Sequence, residues 1–138
     1  MSPLFWSHTV GWPVDSQRLY LWCFTCPHVS GITGIGEASD ELMKHEARLT
    51  RPRLRKAKLF LSERESVMFV PEWFWVRGRA KYLLECADGR PDTNKVIAAA
   101  KFLSLNRIPE EIVEGFCVRY GYLFDAVERW PTWMRRGE

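Results

Sequence analysis

No stretch of the sequence approaches the roughly 18–20 consecutive apolar residues that a helix needs to cross a bilayer, which excludes a membrane-spanning helix. The opening Met1-Ser2-Pro3-Leu4-Phe5-Trp6 lacks the basic head and unbroken apolar core of a secretory signal, so a cytoplasmic protein is expected. The signatures of common enzymes are missing too. Three histidines, His8, His28 and His45, have no His-Glu-x-x-His spacing, and there is no Gly-x-Ser-x-Gly elbow. The glycines between Gly31 and Gly36 lead into no Gly-Lys-Ser/Thr and follow no strand, so they do not read as a phosphate cradle. The acidic pairs Asp40-Glu41 and Glu110-Glu111 stand at helix starts, where they complement the helix dipole. No catalytic residue, no metal site and no cofactor is therefore expected.

Cysteine is sparse, at Cys23, Cys26, Cys86 and Cys117. Trp22-Cys23-Phe24-Thr25-Cys26-Pro27 has the Trp-Cys-x-x-Cys spacing of a thiol-disulfide oxidoreductase. That chemistry needs its first cysteine at a helix N-terminus, whereas this pair ends a helical pattern that Pro27 stops. A zinc site would need a second closely spaced pair of ligands, and none follows. Reduced, small, apolar core residues is the reading that remains.

What the chain does hold is apolar mass. Of 138 residues 46% are hydrophobic, with seven Trp, eight Phe and four Tyr, enough for one globular domain and too many for disorder. Charge is unevenly distributed. Arg48, Arg51, Arg53, Arg55, Lys56, Lys58, Arg64, Arg77, Arg79 and Lys81 face only Glu63, Glu65 and Glu72, so residues 48–81 are net +7 in a chain of net +3. A basic block inside a near-neutral chain reads as a footprint for a polyanion. The alternative is a solvated helix face.

The periodicities give an order of elements. Asp15 or Ser16 caps a first helix through Leu19, Tyr20, Cys23 and Phe24, and Ile32 and Ile35 suggest a short strand. Ser39 starts a second helix, running from Asp40 to about Arg48. Thr50 caps a third from about Arg51 to Leu61, with Pro52 in the first turn, where no N–H is needed. Leu54, Ala57 and Leu61 form its inward face, and Arg51, Arg55 and Lys58 form a stripe turned away from it. Val67-Met68-Phe69-Val70 reads as a strand, with Leu59-Phe60-Leu61 as its expected hairpin partner and Arg64 at the wing tip. Trp73, Phe74 and Trp75 read as packing residues rather than a base-stacking platform. Tyr82 to Cys86, a helix after the cap Thr93, and a helix from Glu110 to about Tyr120 complete the chain. The expected fold is mainly α with a small β-hairpin wing, a winged helix-turn-helix plus C-terminal helices. Its parts are an arm (1–13), the winged helix-turn-helix (14–81), a helical extension (82–129) and a tail (130–138).

This order of residues resembles the winged-helix replisome-organiser, or replication-initiation, proteins of phages and prophages. The likeness is carried by Phe5-Trp6, Pro27-His28, Gly34-Ile35 and Phe69-Val70-Pro71-Glu72-Trp73-Phe74. Asn94-Lys95-Val96 and the Pro109 to Phe116 segment add to it. The chain departs from that pattern in a shorter wing, in Cys23 and Cys26, and in Arg77-Gly78-Arg79. The resemblance implies a phage-type role in DNA replication inside a bacterial host cell, with a replicative helicase or its loader as protein partner.

Double-stranded DNA is the expected ligand, with the third helix in the major groove. Arg51 and Arg55 would meet base edges, and Arg53, Lys56 and Lys58 would neutralise phosphate. Arg64 would reach from the wing, and Arg77, Arg79 and Lys81 would extend the footprint. The competing readings are a transcriptional regulator and a protein-interaction module without specific DNA binding, anchored by the tail from Trp130 to Arg136. Monomer and homodimer both remain open. The DNA reading requires that the cations from Arg51 onward project away from the interior, free of carboxylates.

Overall fold

Pro13 precedes the first helix, α1 (Val14–Thr25), and occupies its N-cap position without a side-chain hydrogen bond. Asp15 and Ser16, expected as caps, lie inside the first turn instead. The helix ends where Cys26 turns extended ahead of Pro27, as a residue before proline is sterically driven to do. The computed structural model describes residues 8–86, 88, 90–104 and 107–125. Phe5-Trp6, Asn106 and the tail assigned to 130–138 lie outside the described residues.

A loop leads to β1 (Ile35–Glu37) through Gly34, whose φ of +78° a side chain would resist. A Cβ there would also stand 2.8 Å from the Val76 carbonyl oxygen, so glycine permits the close crossing of β1 and the later strand. Ser39 then caps α2 (Asp40–Glu46), its hydroxyl accepting the Leu42 N–H at 3.2 Å. Thr50 caps α3 (Arg51–Glu63) by accepting the Arg53 N–H at 3.4 Å, with Pro52 in the first turn. Leu54, Ala57 and Leu61 are buried, as their spacing requires.

The hairpin differs from expectation. Leu59, Phe60 and Leu61 belong to α3, and β2 (Val67–Val70) pairs with β3 (Trp73–Val76), Val70 opposite Trp73 and Val67 opposite Val76. The tip is therefore Pro71-Glu72, with Glu72 at φ 64°, and not Arg64, which caps the end of α3. All strands are antiparallel in the order β1-β3-β2. Helix, strand, two helices and a hairpin, with that strand order, make a winged helix-turn-helix.

Three further helices follow: α4 (Lys81–Leu84), α5 (Thr93–Leu103) and α6 (Glu110–Asp125). Asp92 rather than Thr93 caps α5, accepting the Lys95 N–H at 3.3 Å. These helices cover the other face of the sheet. Phe74 and Val76 pack with α1, α2 and α3, whereas Trp73 and Trp75 pack with α5 and α6. The central strand β3 is thus buried on both faces, and its aromatics are core, as the sequence suggested. Tyr120 on α6 donates to the Arg77 carbonyl and Tyr122 donates to the Glu85 carboxylate, tying α6 to the chain leaving the sheet. The Glu85 hydrogen bond pushes the Tyr122 phenol up to about 12.

On its other side β2 is an edge. The Arg77 N–H donates to the Ser66 carbonyl at 3.1 Å, which places Ser66, Met68 and Val70 at hydrogen-bonded positions. Val67 and Phe69 therefore direct their backbone groups away from β3. Glu65, Pro71 and Glu72, all exposed, bound this edge at its two ends.

Two glycines in α6 give opposite expectations. A Cβ on Gly115 would lie 2.9 Å from the buried Trp75 ring, whereas one on Gly121 would meet nothing within 4 Å. Gly121→Ala should raise stability by up to about 1 kcal/mol through helix propensity alone. Gly115→Ala should instead lower it by about 1–2 kcal/mol, because overpacking against a fixed ring outweighs the same propensity gain. Urea unfolding of both variants measures the difference.

Candidate nucleic-acid interface

With about 100° between successive residues, α3 has four sides. Leu54, Ala57 and Leu61 mark the buried side. Arg51 and Lys58 lie on the flank toward α2, and Arg53 and Phe60 lie on the flank toward α1. Pro52, Arg55, Lys56, Leu59 and Glu63, all exposed, form the outward side.

The expected stripe of Arg51, Arg55 and Lys58 is thus no free ridge. Arg51 is hydrogen-bonded to Glu41, and the Lys58 ammonium lies 2.8 Å from Asp40 and 5.2 Å from the centre of the Phe69 ring. Both carboxylates come from the first turn of α2. That geometry also accounts for Glu41, whose carboxyl is held below the usual range by Lys44 first and then by Arg51. Arg53 makes a two-pronged pair with Asp15 of α1, at 2.8 Å and 2.6 Å. Of the five α3 cations, only Arg55 and Lys56 have no carboxylate partner among the described residues.

The pairs differ in kind. Arg51 and Glu41 are 71% and 60% exposed, so water and salt screen them and a phosphate can replace the carboxylate at small cost. The Arg53–Asp15 pair is forked, with Asp15 28% exposed, and it joins two packed helices. Hydrogen bonding to Arg53 is the main reason that the Asp15 carboxyl titrates below its ordinary value. Arg53 is therefore a brace between α1 and α3.

Three cations from the wing region are also structural. Arg64 lies 4.6 Å from the Phe60 ring centre and 5.5 Å from that of Trp12, a cation–π stack at the end of α3. Arg77 lies over Trp75 at 5.6 Å. Arg79 stacks on Phe24 at 4.5 Å and donates to the Phe24 carbonyl at 2.6 Å, so it caps the C-terminal end of α1. Lys81 is exposed at the start of α4. None of these four lies on α3.

One exposed cation went unassigned from sequence. Arg48, at φ 56°, occupies the left-handed position between α2 and α3 that glycine usually fills. The Leu49 N–H donates to the Lys44 carbonyl at 3.0 Å and closes this Schellman turn. Arg48 thus stands at the mouth of the helix-turn-helix, beside the N-terminus of α3. A helical pattern continued past Glu46 hides this turn.

Cys23 and Cys26 are free and buried, and burial pushes both thiols up, away from the thiolate form that redox or metal chemistry requires. Among the described residues no group of three or more His, Cys, Asp or Glu could hold a metal ion. No helix among them is long and apolar enough to cross a membrane. Compared with known proteins, the chain matches no family model, no curated protein and no solved structure.

The brace has a pH signature. The folded-state pKa of Asp15 is depressed, so its contribution is complete above the ordinary aspartate pKa of about 3.9 and is lost as pH falls through the lower folded value. Arg53→Met should lower stability at neutral pH. The gap from the parent should close below about pH 4, as followed by denaturant unfolding across pH 2–7.

Proposed function

We propose that this protein binds double-stranded DNA through its helix-turn-helix, with the N-terminal part of α3, ahead of Glu63, in the major groove. The observation that carries the reading is the pairing state of α3. Its outward side holds Arg55 and Lys56, without carboxylate partners among the described residues, beside Arg48 and the loosely paired Arg51. The far end of the same side carries Glu63, which repels phosphate, so the helix engages by the residues ahead of it. Arg55 is suited to a guanine edge and Lys56 to phosphate. Arg51 and Lys58 join only by exchanging Glu41 and Asp40 for phosphate. The wing ends in Glu72 and adds no cation. Arg53, Arg64, Arg77 and Arg79 serve the fold, and Lys81 stands apart from α3.

The resemblance to phage and prophage replisome organisers makes replication initiation or organisation the setting of this binding. A helicase or its loader is then the protein partner. The second reading, a protein-interaction module, is favoured by one observation. On α6, Val118 is 83% exposed and Tyr122 53% exposed, one turn apart on one side of the helix.

DNA binding should weaken steeply with salt, since each neutralised phosphate contributes about −0.9 to the slope of log affinity against log salt. Arg55→Ala combined with Lys56→Ala should flatten that slope by up to about 1.8. Arg53→Ala should lower stability while leaving the slope unchanged. Fluorescence anisotropy with a labelled duplex at several salt concentrations measures both. A parent chain that does not bind duplex at low salt removes the reading and leaves the interaction module.

A further inference from the structure

Leu59 is 58% exposed on the outward side of α3, one turn beyond Arg55 and beside Lys56. Arg51, Pro52, Arg55, Lys56 and Leu59 are the first, second, fifth, sixth and ninth residues of the helix. That spacing lines one side of a helix that enters a groove from its N-terminus. An apolar side chain among these cations is poorly suited to phosphate. It is well suited to the one apolar group that B-DNA displays in its major groove, the 5-methyl of thymine.

Resting on the DNA-binding reading above, we propose that Leu59 is a specificity-determining residue that contacts a thymine 5-methyl group, while Arg55 pairs with a nearby guanine. The four-residue step from Arg55 to Leu59 spans about 6 Å along the helix. Successive bases are about 3.4 Å apart along the duplex, so the thymine lies about two base-pair steps from the guanine. Glu63, one turn further on, marks where the contact ends, because a carboxylate at that depth meets phosphate repulsion. The preferred sites therefore combine a required guanine with a methyl-bearing pyrimidine at fixed spacing.

The test uses the full chain and a randomised duplex library. Bound duplexes are enriched and sequenced, and each thymine of the consensus is then replaced in turn by uracil, which pairs identically but lacks the methyl group. One replacement, within about two steps of a required guanine, should weaken binding about fourfold, the affinity carried by one buried methyl group. Leu59→Ala should weaken binding to the thymine duplex to a similar degree and be indifferent to uracil, with unchanged thermal unfolding because the side chain is exposed. Leu59→Met, which keeps the apolar reach, should retain the thymine preference. Indifference of the parent to every uracil, or full uracil sensitivity in Leu59→Ala, would overturn the assignment. Salt-sensitive binding without a consensus would overturn it while leaving general DNA binding standing, whereas no retained duplex at all would overturn both.

Discussion

The fold depends on burying a four-residue strand from both sides. Trp73, Phe74, Trp75 and Val76 alternate between two cores, and every one of them is buried. A strand covered on both faces loses the usual alternation of apolar and polar residues. Here it joins the helix-turn-helix on one face to the C-terminal helices on the other. The aromatics of this segment are thus committed to packing, and the surfaces left for recognition are helical.

That commitment partitions the basic block. A net charge of +7 over residues 48–81 suggests one continuous positive surface, but the side chains divide by location. Arg53 braces α1 against α3, Arg79 caps α1, and Arg64 and Arg77 lie on aromatic rings. Arg51 and Lys58 fasten the start of α2 to α3 through weak, exposed pairs. Among the described residues of this block, the outward side of α3, the turn before it and Lys81 offer charge without such duties. Long basic side chains are useful twice over, since their stems and planar heads pack while their charge still meets a partner.

Local chemistry was legible in the sequence wherever neighbours in the chain decide the structure. Ser39 and Thr50 mark the starts of α2 and α3, Pro52 sits in the first turn, and Leu54, Ala57 and Leu61 set the buried side of α3. The hairpin was not legible, for a specific reason. Leu59-Phe60-Leu61 is as apolar as a strand, whereas Trp73 to Val76, buried on both faces, shows no alternation to identify its partner. The ion pairs were hidden by distance along the chain. Asp15 stands 38 residues before Arg53, and Asp40 stands 18 before Lys58, so charge counting over a window could not reveal that those cations are engaged. The stripe of Arg51, Arg55 and Lys58 is real as spacing, but Arg51 and Lys58 lie on the flank toward α2 and Arg55 alone of the three faces outward. Its position depends on where α2 sits, which no helical period encodes.

The acidic ends of the β2 edge bear on how the chain behaves when many copies are crowded together. In antiparallel self-pairing through these outward groups, with Val67 of one copy opposite Phe69 of the next, Glu65 would fall opposite Pro71 at both ends of the ladder. Pro71, lacking an N–H, cannot extend the ladder at that position, and the exposed charges of Glu65 and Glu72 keep both ends of the edge hydrated. An apolar strand with free backbone groups is the usual seed for edge-to-edge fibres. Here two carboxylates and a proline give the chain resistance to that route of precipitation, at the expense of a wing tip with no attraction for phosphate.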